Sequence, residues 1–325
     1  MKGEPRPVVV HPAFAIEWRD VDDFRGEFGP YNGRYVPRYP ATWLAECLSH
    51  LEGLDLKPVE RTRLLETARH ELRHCTTPGD ATWPHPTAWE ASAQQFLKAH
   101  PQALVVGNAM DPQPFNAWPQ SVRQVRESRR RSWAYRGTVG EYLSACKPLL
   151  VNAPAAYMID PYLDPLAPSV EDLLRSIFEV AKGSRCYQLH IVTRRQACGG
   201  KADAPEAEWP TDQEILAKLK ELYAVRVGKG RSLVVHLVKR GRPSSDNLRL
   251  HDRFFLTNFG AISFGRGFVL PEQEHAQETA HVVDRDLHER LKQQYIDGVA
   301  RHREGLPRVA GIPYPAEVTS LCVTG

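Results

Sequence analysis

"LRLHDRFFLTNFGAISFGRGF" spans residues 248 to 268. A histidine and an arginine two apart lead into an apolar, β-prone run that turns at Asn258-Phe259-Gly260 and closes on Gly265-Arg266-Gly267. Side chains alternate along a strand, so His251 and Arg253 emerge on one face while Asp252 and Phe254 take the other. Arginine offers a planar fork of donors suited to phosphate oxygens, and histidine serves as nucleophile or acid/base near neutral pH. Gly265 and Gly267 would let backbone amides approach the same oxygens, with the charge of Arg266 between them. The plainer alternative is a solvated strand face whose glycines serve only as turns.

Working outward, the pattern upstream is strand then helix, repeated. AYMIDPYLD (156 to 164) is a strand ending in a turn, SVEDLLRSIFEVAKG is a helix with a capping box at Ser169 and Asp172, and CYQLHIVTRR (186 to 195) is a strand. TDQEILAKLKELYAVRV holds a helix, SLVVHLVKR (232 to 240) a strand, and a last helix covers about 284 to 299. Helices between apolar strands predict an α/β layered domain over residues 141 to 325. Ahead of it, residues 1 to 140 form a mainly helical or α/β module. That module has a strand at 7 to 18, a turn-rich loop, helices at 41 to 52, 58 to 75 and 88 to 99, and a short strand at 103 to 108.

The segment HDRFFLTNFGAISFGRGF, with the strands YMIDPYLD and LHIVT, resembles the C-terminal domain that accompanies microtubule-interacting-and-trafficking (MIT) domains, over roughly residues 150 to 290. That domain has a phospholipase D-like fold, and related domains occur in bacteria. The resemblance implies a phospholipase D-like α/β layering with Arg253, Gly265, Arg266 and Gly267 holding phosphate and His251, Arg253 and Asn258 at the catalytic positions. Enzymes of that type use His-x-Lys-x4-Asp twice. Here arginine stands at 253 where lysine is expected, asparagine at 258 where the acid is expected, and the nearest second copy, His288-Glu289-Arg290, lies in a helical pattern. Since an amide orients an imidazolium less well than a carboxylate does, phosphodiester recognition is favoured over cutting. The alternative is a metal-independent phosphodiesterase or nuclease acting as a homodimer with His251 as nucleophile; a second alternative is a non-catalytic structural subunit.

Other signals extend this reading. Arg123, Arg126, Arg129, Arg130, Arg131 and Arg136 stand against a single Glu127 on an expected helix at 121 to 136, with Trp133 and Tyr135 beside them, a mixture that would track nucleic-acid phosphates and stack a base. His70-Glu71-Leu72-Arg73-His74 matches the HExxH spelling, but Arg73 is a poor fit for a zinc-site helix and no firm third ligand follows, so no metal and no other cofactor is expected. Six scattered cysteines with no CxxC pair fit reduced thiols. A net charge of +3 rules out a polycation, so attraction to an anion must come from local clusters. The first residues lack the apolar core of a signal peptide and no stretch suggests a membrane span. These features lead us to expect a cytoplasmic bacterial protein that recognises nucleic acid beside other protein subunits, with anti-phage defence as the context the resemblance suggests.

Overall fold

The computed structural model describes residues 6–10, 28, 34–38, 42–78, 89–99, 104–106, 132–151, 153–198, 210–238, 253–265, 267–268, 278–297 and 318–325. The chain divides into two compact units, Met1–Arg131 and Ser132–Gly325, where the sequence reading drew its boundary at 140/141.

The first unit is α/β. Strands β1 (Arg6–Val10), β2 (Arg34–Arg38), β3 (Thr76–Pro78) and β4 (Leu104–Val106) form a sheet in the order β3-β2-β1-β4, with every pairing parallel. Helices α1 (Trp43–Glu52), α2 (Pro58–Cys75) and α3 (Trp89–Ala99) accompany it. Val10, Val36, Trp43, Cys47, Leu51, Leu64, Ala68 and Leu72 pack as one buried cluster, and the Trp43 indole N–H donates to Val10 O at 2.6 Å. One expectation is corrected: β2 falls within the stretch read as a turn-rich loop. Of the strand expected at 7 to 18, the part up to Val10 lies in β1, and residues 11 to 18 lie outside the described residues. Parallel pairing with both β1 and β3 organises RYVPR despite its proline.

The second unit is a mixed α/β layer. Its strands are β5 (Ser132–Tyr135), β6 (Ala155–Ile159), β7 (Gln188–Arg194), β8 (Ser232–Val238), β9 (Phe254–Thr257), β10 (Ala261–Phe264), β11 (Glu278–Val282) and β12 (Val318–Thr324), in the sheet order β12-β8-β7-β6-β9-β10-β11-β5. Strands β6, β7 and β8 are parallel and joined through α5 (Pro168–Lys182) and α6 (Asp212–Val227); the remaining pairings are antiparallel. Right-handed crossovers put α5 and α6 on the same side of the sheet.

Helix α4 (Val139–Leu150), opened by a reciprocal Thr138–Glu141 capping box, joins that side by stacking Tyr142 edge-on against Tyr135 and Phe264. The other face carries Tyr157, Ile159, Val192, Val238, Phe254 and Leu256, packed with Leu291 and Tyr295. These two come from α7 (Arg285–Leu291) and the π-helical turn Lys292–Asp297 that continues it. The helix expected at 284 to 299 is thus α-helical only in its first half.

Two more expectations change. The arginine-rich helix expected through residue 136 does not reach that far, because Ser132–Tyr135 is an edge strand paired with β11. The alternation in Ser-Trp-Ala-Tyr buries Trp133 and Tyr135, which removes both rings from base stacking. Helix α5 begins one residue ahead of Ser169: its N-cap is Ala167, with Pro168 in the first turn supplying a preset φ in place of a side-chain cap.

Helix α7 also settles the role of His288. It is fully buried, and its Nε2, which must carry the proton, donates to Thr257 O at 2.8 Å at the far end of β9 from Arg253. Burial pushes its pKa below the ordinary histidine value, opposed by that hydrogen bond. A depressed folded-state pKa makes its contribution complete above the unfolded value of about 6.5, and that contribution is lost as pH falls through the folded value. The stability advantage of the native protein over a His288→Gln variant should therefore shrink between pH 7.5 and 5, by about 1.4 kcal/mol per unit of depression, in paired thermal melts. A constant gap across that range would show that His288 does not titrate with folding.

Candidate anion-binding site

Strands β6 and β7 end at the same edge of the sheet, and antiparallel β9 begins there. Strand β6 has a parallel neighbour on one side and an antiparallel neighbour on the other, so the chain's connections diverge from it. In open α/β sheets, the crevice outside such carboxyl ends is where ligands sit.

Strand β6 stops because Pro161 has no N–H to donate to the ladder. Asp160, just before it, is wholly buried. Its Oδ1 accepts from the backbone N–H of Tyr162 at 2.9 Å, an Asx turn, and its Oδ2 accepts from the N–H of Phe268 at 3.0 Å. Extending the β6–β9 register by one residue sets Arg253 opposite Asp160, with Nε 3.9 Å from Oδ1. One guanidinium nitrogen of Arg253 donates to Gly265 O, while Nε has no hydrogen-bond partner among the described residues. The Asp160 carboxyl is held above its usual range, because burial outweighs the two backbone N–H groups and the nearby Arg253 and Arg194.

The loop leaving β10 closes over this carboxylate. Gly267 has φ +78°, a backbone that L side chains rarely adopt, and an added Cβ would stand 1.9 Å from Asp160 Oδ2 and 2.8 Å from Arg253 Cδ. The Tyr142 hydroxyl, whose pKa is pushed up chiefly by burial and next by Tyr135, donates to Gly267 O. Only glycine allows so close an approach of loop to strand.

Outward of Asp160, Tyr162 is 54% exposed. The guanidinium carbons of Arg194, the last residue of β7, and Arg253 lie 5.1 and 5.3 Å from its ring centroid, within cation–π range. Arg195 is committed elsewhere: it pairs with Asp212 and donates to Pro210 O. With Asp160 ionised, the described groups carry two positive charges against one negative.

No protein-family model matches the chain, and no curated protein matches it. Among solved structures, an archaeal chromatin protein that shows a novel mode of DNA binding is 12% identical, with 78% of this chain and 88% of that chain covered and a TM-score of 0.24. A score that low gives no basis for transferring fold or partner.

Of the residues singled out in the sequence, Arg253, Gly265 and Gly267 converge. His251 and Arg266 lie outside the described residues, as do Arg123, Arg126, Arg129, Arg130 and Arg131; Arg136 is exposed. Asn258 is exposed in the β9–β10 turn, at the opposite end of β9 from Arg253. A four-residue strand at about 3.3 Å per residue separates them, which removes Asn258 from the site. His70 is exposed and contacts Glu71, and among the described residues no group of three His, Cys, Asp or Glu side chains could hold a metal ion. No described helix is long and apolar enough to cross a membrane.

Asp160, Tyr162 and Arg194 were missed. Their signal was present: Asp-Pro-Tyr directly after an apolar strand, and Thr-Arg-Arg at the end of the next one.

Proposed function

We propose that the second unit is a phospholipase D-like module that recognises a phosphodiester, with nucleic acid as its partner, through Arg194, Arg253 and the backbone around Gly265. The observation that carries this reading is the pair of guanidiniums set about one exposed tyrosine at the carboxyl edge of β6 and β7. Two arginines from different strands offer forked donors to neighbouring phosphate oxygens, and the buried Asp160 lowers the net charge of the site without presenting a free carboxylate to a ligand.

Recognition is favoured over cutting for a chemical reason. Asp160, the carboxylate at the site among the described residues, is buried and already accepts two backbone hydrogen bonds, which makes it a poor general base; Asn258 stands at the opposite end of β9 from Arg253. Fluorescence anisotropy with a labelled oligonucleotide should show salt-sensitive binding and no cleavage product in EDTA. Arg194→Gln should weaken binding about tenfold and reduce the slope of log affinity against log salt by about one. Arg253→Gln should do at least as much, since it also uncovers Asp160. Chelator-resistant cleavage abolished by His251→Ala would replace this reading with the dimeric nuclease.

A further inference from the structure

We infer that Tyr162 is a nucleobase-stacking residue, so that the site takes an unpaired base together with its flanking phosphates and selects single-stranded nucleic acid over duplex. This rests on the phosphodiester reading above and narrows it. Burying a tyrosine ring is normally favourable, yet the chain holds this one out. Its backbone N–H is fixed to Asp160 Oδ1, Pro161 presets the preceding φ, Leu163 N–H donates to Asp160 O at 3.3 Å, and Thr193 Oγ1 ties Leu163 O to β7 at 2.8 Å. A ring on so braced a turn loses little conformational freedom when a ligand arrives.

The two guanidiniums supply the second half of the argument. A half-exposed aromatic ring with two guanidinium carbons 5.1 and 5.3 Å from its centroid joins a surface on which a base can stack, by displacing a guanidinium toward a neighbouring phosphate, to the cations that pair with phosphates. In a duplex the base faces are already stacked on one another, and exposing one requires unpairing. A purely phosphate-reading surface has no use for an exposed ring at its centre.

The test compares three labelled probes of equal length by anisotropy: single-stranded oligo-dT, a duplex of the same length, and an abasic oligomer that keeps the phosphates. The native protein should bind the single strand about tenfold more tightly than either of the others. Tyr162→Ala should lose about tenfold on the single strand and nothing on the abasic oligomer, while Tyr162→Phe and Tyr162→Trp should retain affinity, because the ring rather than the hydroxyl does the stacking. Equal binding of all three probes by the native protein overturns the inference and leaves phosphodiester recognition standing. Equal weakening of single strand and abasic oligomer by Tyr162→Ala does the same. Absence of binding to every probe overturns both. Because the native protein alone separates the probes, the outcome does not depend on how the alanine variant folds.

Discussion

Replacing Gly267 with alanine should lower the thermal midpoint of the second unit by roughly 10 °C or more. The new methyl would sit 1.9 Å from Asp160 Oδ2 and 2.8 Å from Arg253 Cδ, in a backbone at φ +78°. A left-handed conformation imposed on a residue with a Cβ costs about 1–3 kcal/mol, and forcing an atom into a packed site costs a similar amount again. About 4 kcal/mol in total, at 2–4 °C per kcal/mol for a domain of this size, gives the shift. The far ends of flexible side chains can retreat, but here the obstacle is a carboxylate held by two backbone N–H groups, and its retreat would strip both of their acceptor. Differential scanning calorimetry reads the shift directly. A Gly267→Ala midpoint within 2 °C of the native value would mean that the loop does not close on Asp160.

The second large effect belongs to Asp160. Asp160→Ala removes the acceptor of the Tyr162 and Phe268 N–H groups and takes from Arg253, 29% exposed at its side chain, the counter-charge 3.9 Å away. Breaking one side of a buried charge-assisted cluster costs about 3–5 kcal/mol, and oligonucleotide affinity should fall with it as the turn bearing Tyr162 and the loop bearing Gly265 lose their common anchor. Asp160→Asn keeps the shape and should cost less.

The pH dependence sets the native protein apart from both variants. The folded-state pKa of Asp160 is raised above its unfolded value, so ionisation costs stability at neutral pH. That stability returns as pH falls through the folded value toward the unfolded value near 3.9. The native protein should thus gain on both variants on acidification from pH 7 toward 4, measured by thermal melts at each pH. An invariant difference would place the carboxyl in an environment no drier than solvent.

Much of the second unit was legible because its signals are local. The stretches at 156–159, 189–193 and 233–238 are buried in the three parallel strands, and such strands read as largely hydrophobic runs. The two strands of the 248–268 segment likewise announce themselves, with a turn at Asn258 and Phe259 between them. The strands at the β5 end of the sheet were less visible. Ser132–Tyr135, the edge strand, follows a dense arginine run whose helical spacing overrode a four-residue alternation, and its neighbour Glu278–Val282 alternates with charged and polar residues because one of its faces is exposed.

The site was half legible for a related reason. Arg253 and the two glycines sit in one segment with recognisable chemistry, whereas Asp160, Tyr162 and Arg194 come from two other strands and meet it only through sheet register. Asn258 misled because five residues along a strand place a side chain at the opposite rim, a separation that a linear motif does not express.

The position of β6 has one more consequence. Arg194 ends β7 on one side of it and Arg253 leads into β9 on the other, so an anion held by both would add a tie between the two strands that flank it. Occupancy would then be felt as resistance of the whole layer to opening, rising with the logarithm of ligand concentration and reaching about 2.7 kcal/mol at a hundredfold excess over the dissociation constant. Amides along β7 and β9 would exchange more slowly together, making the cargo a fastener for the sheet that carries it.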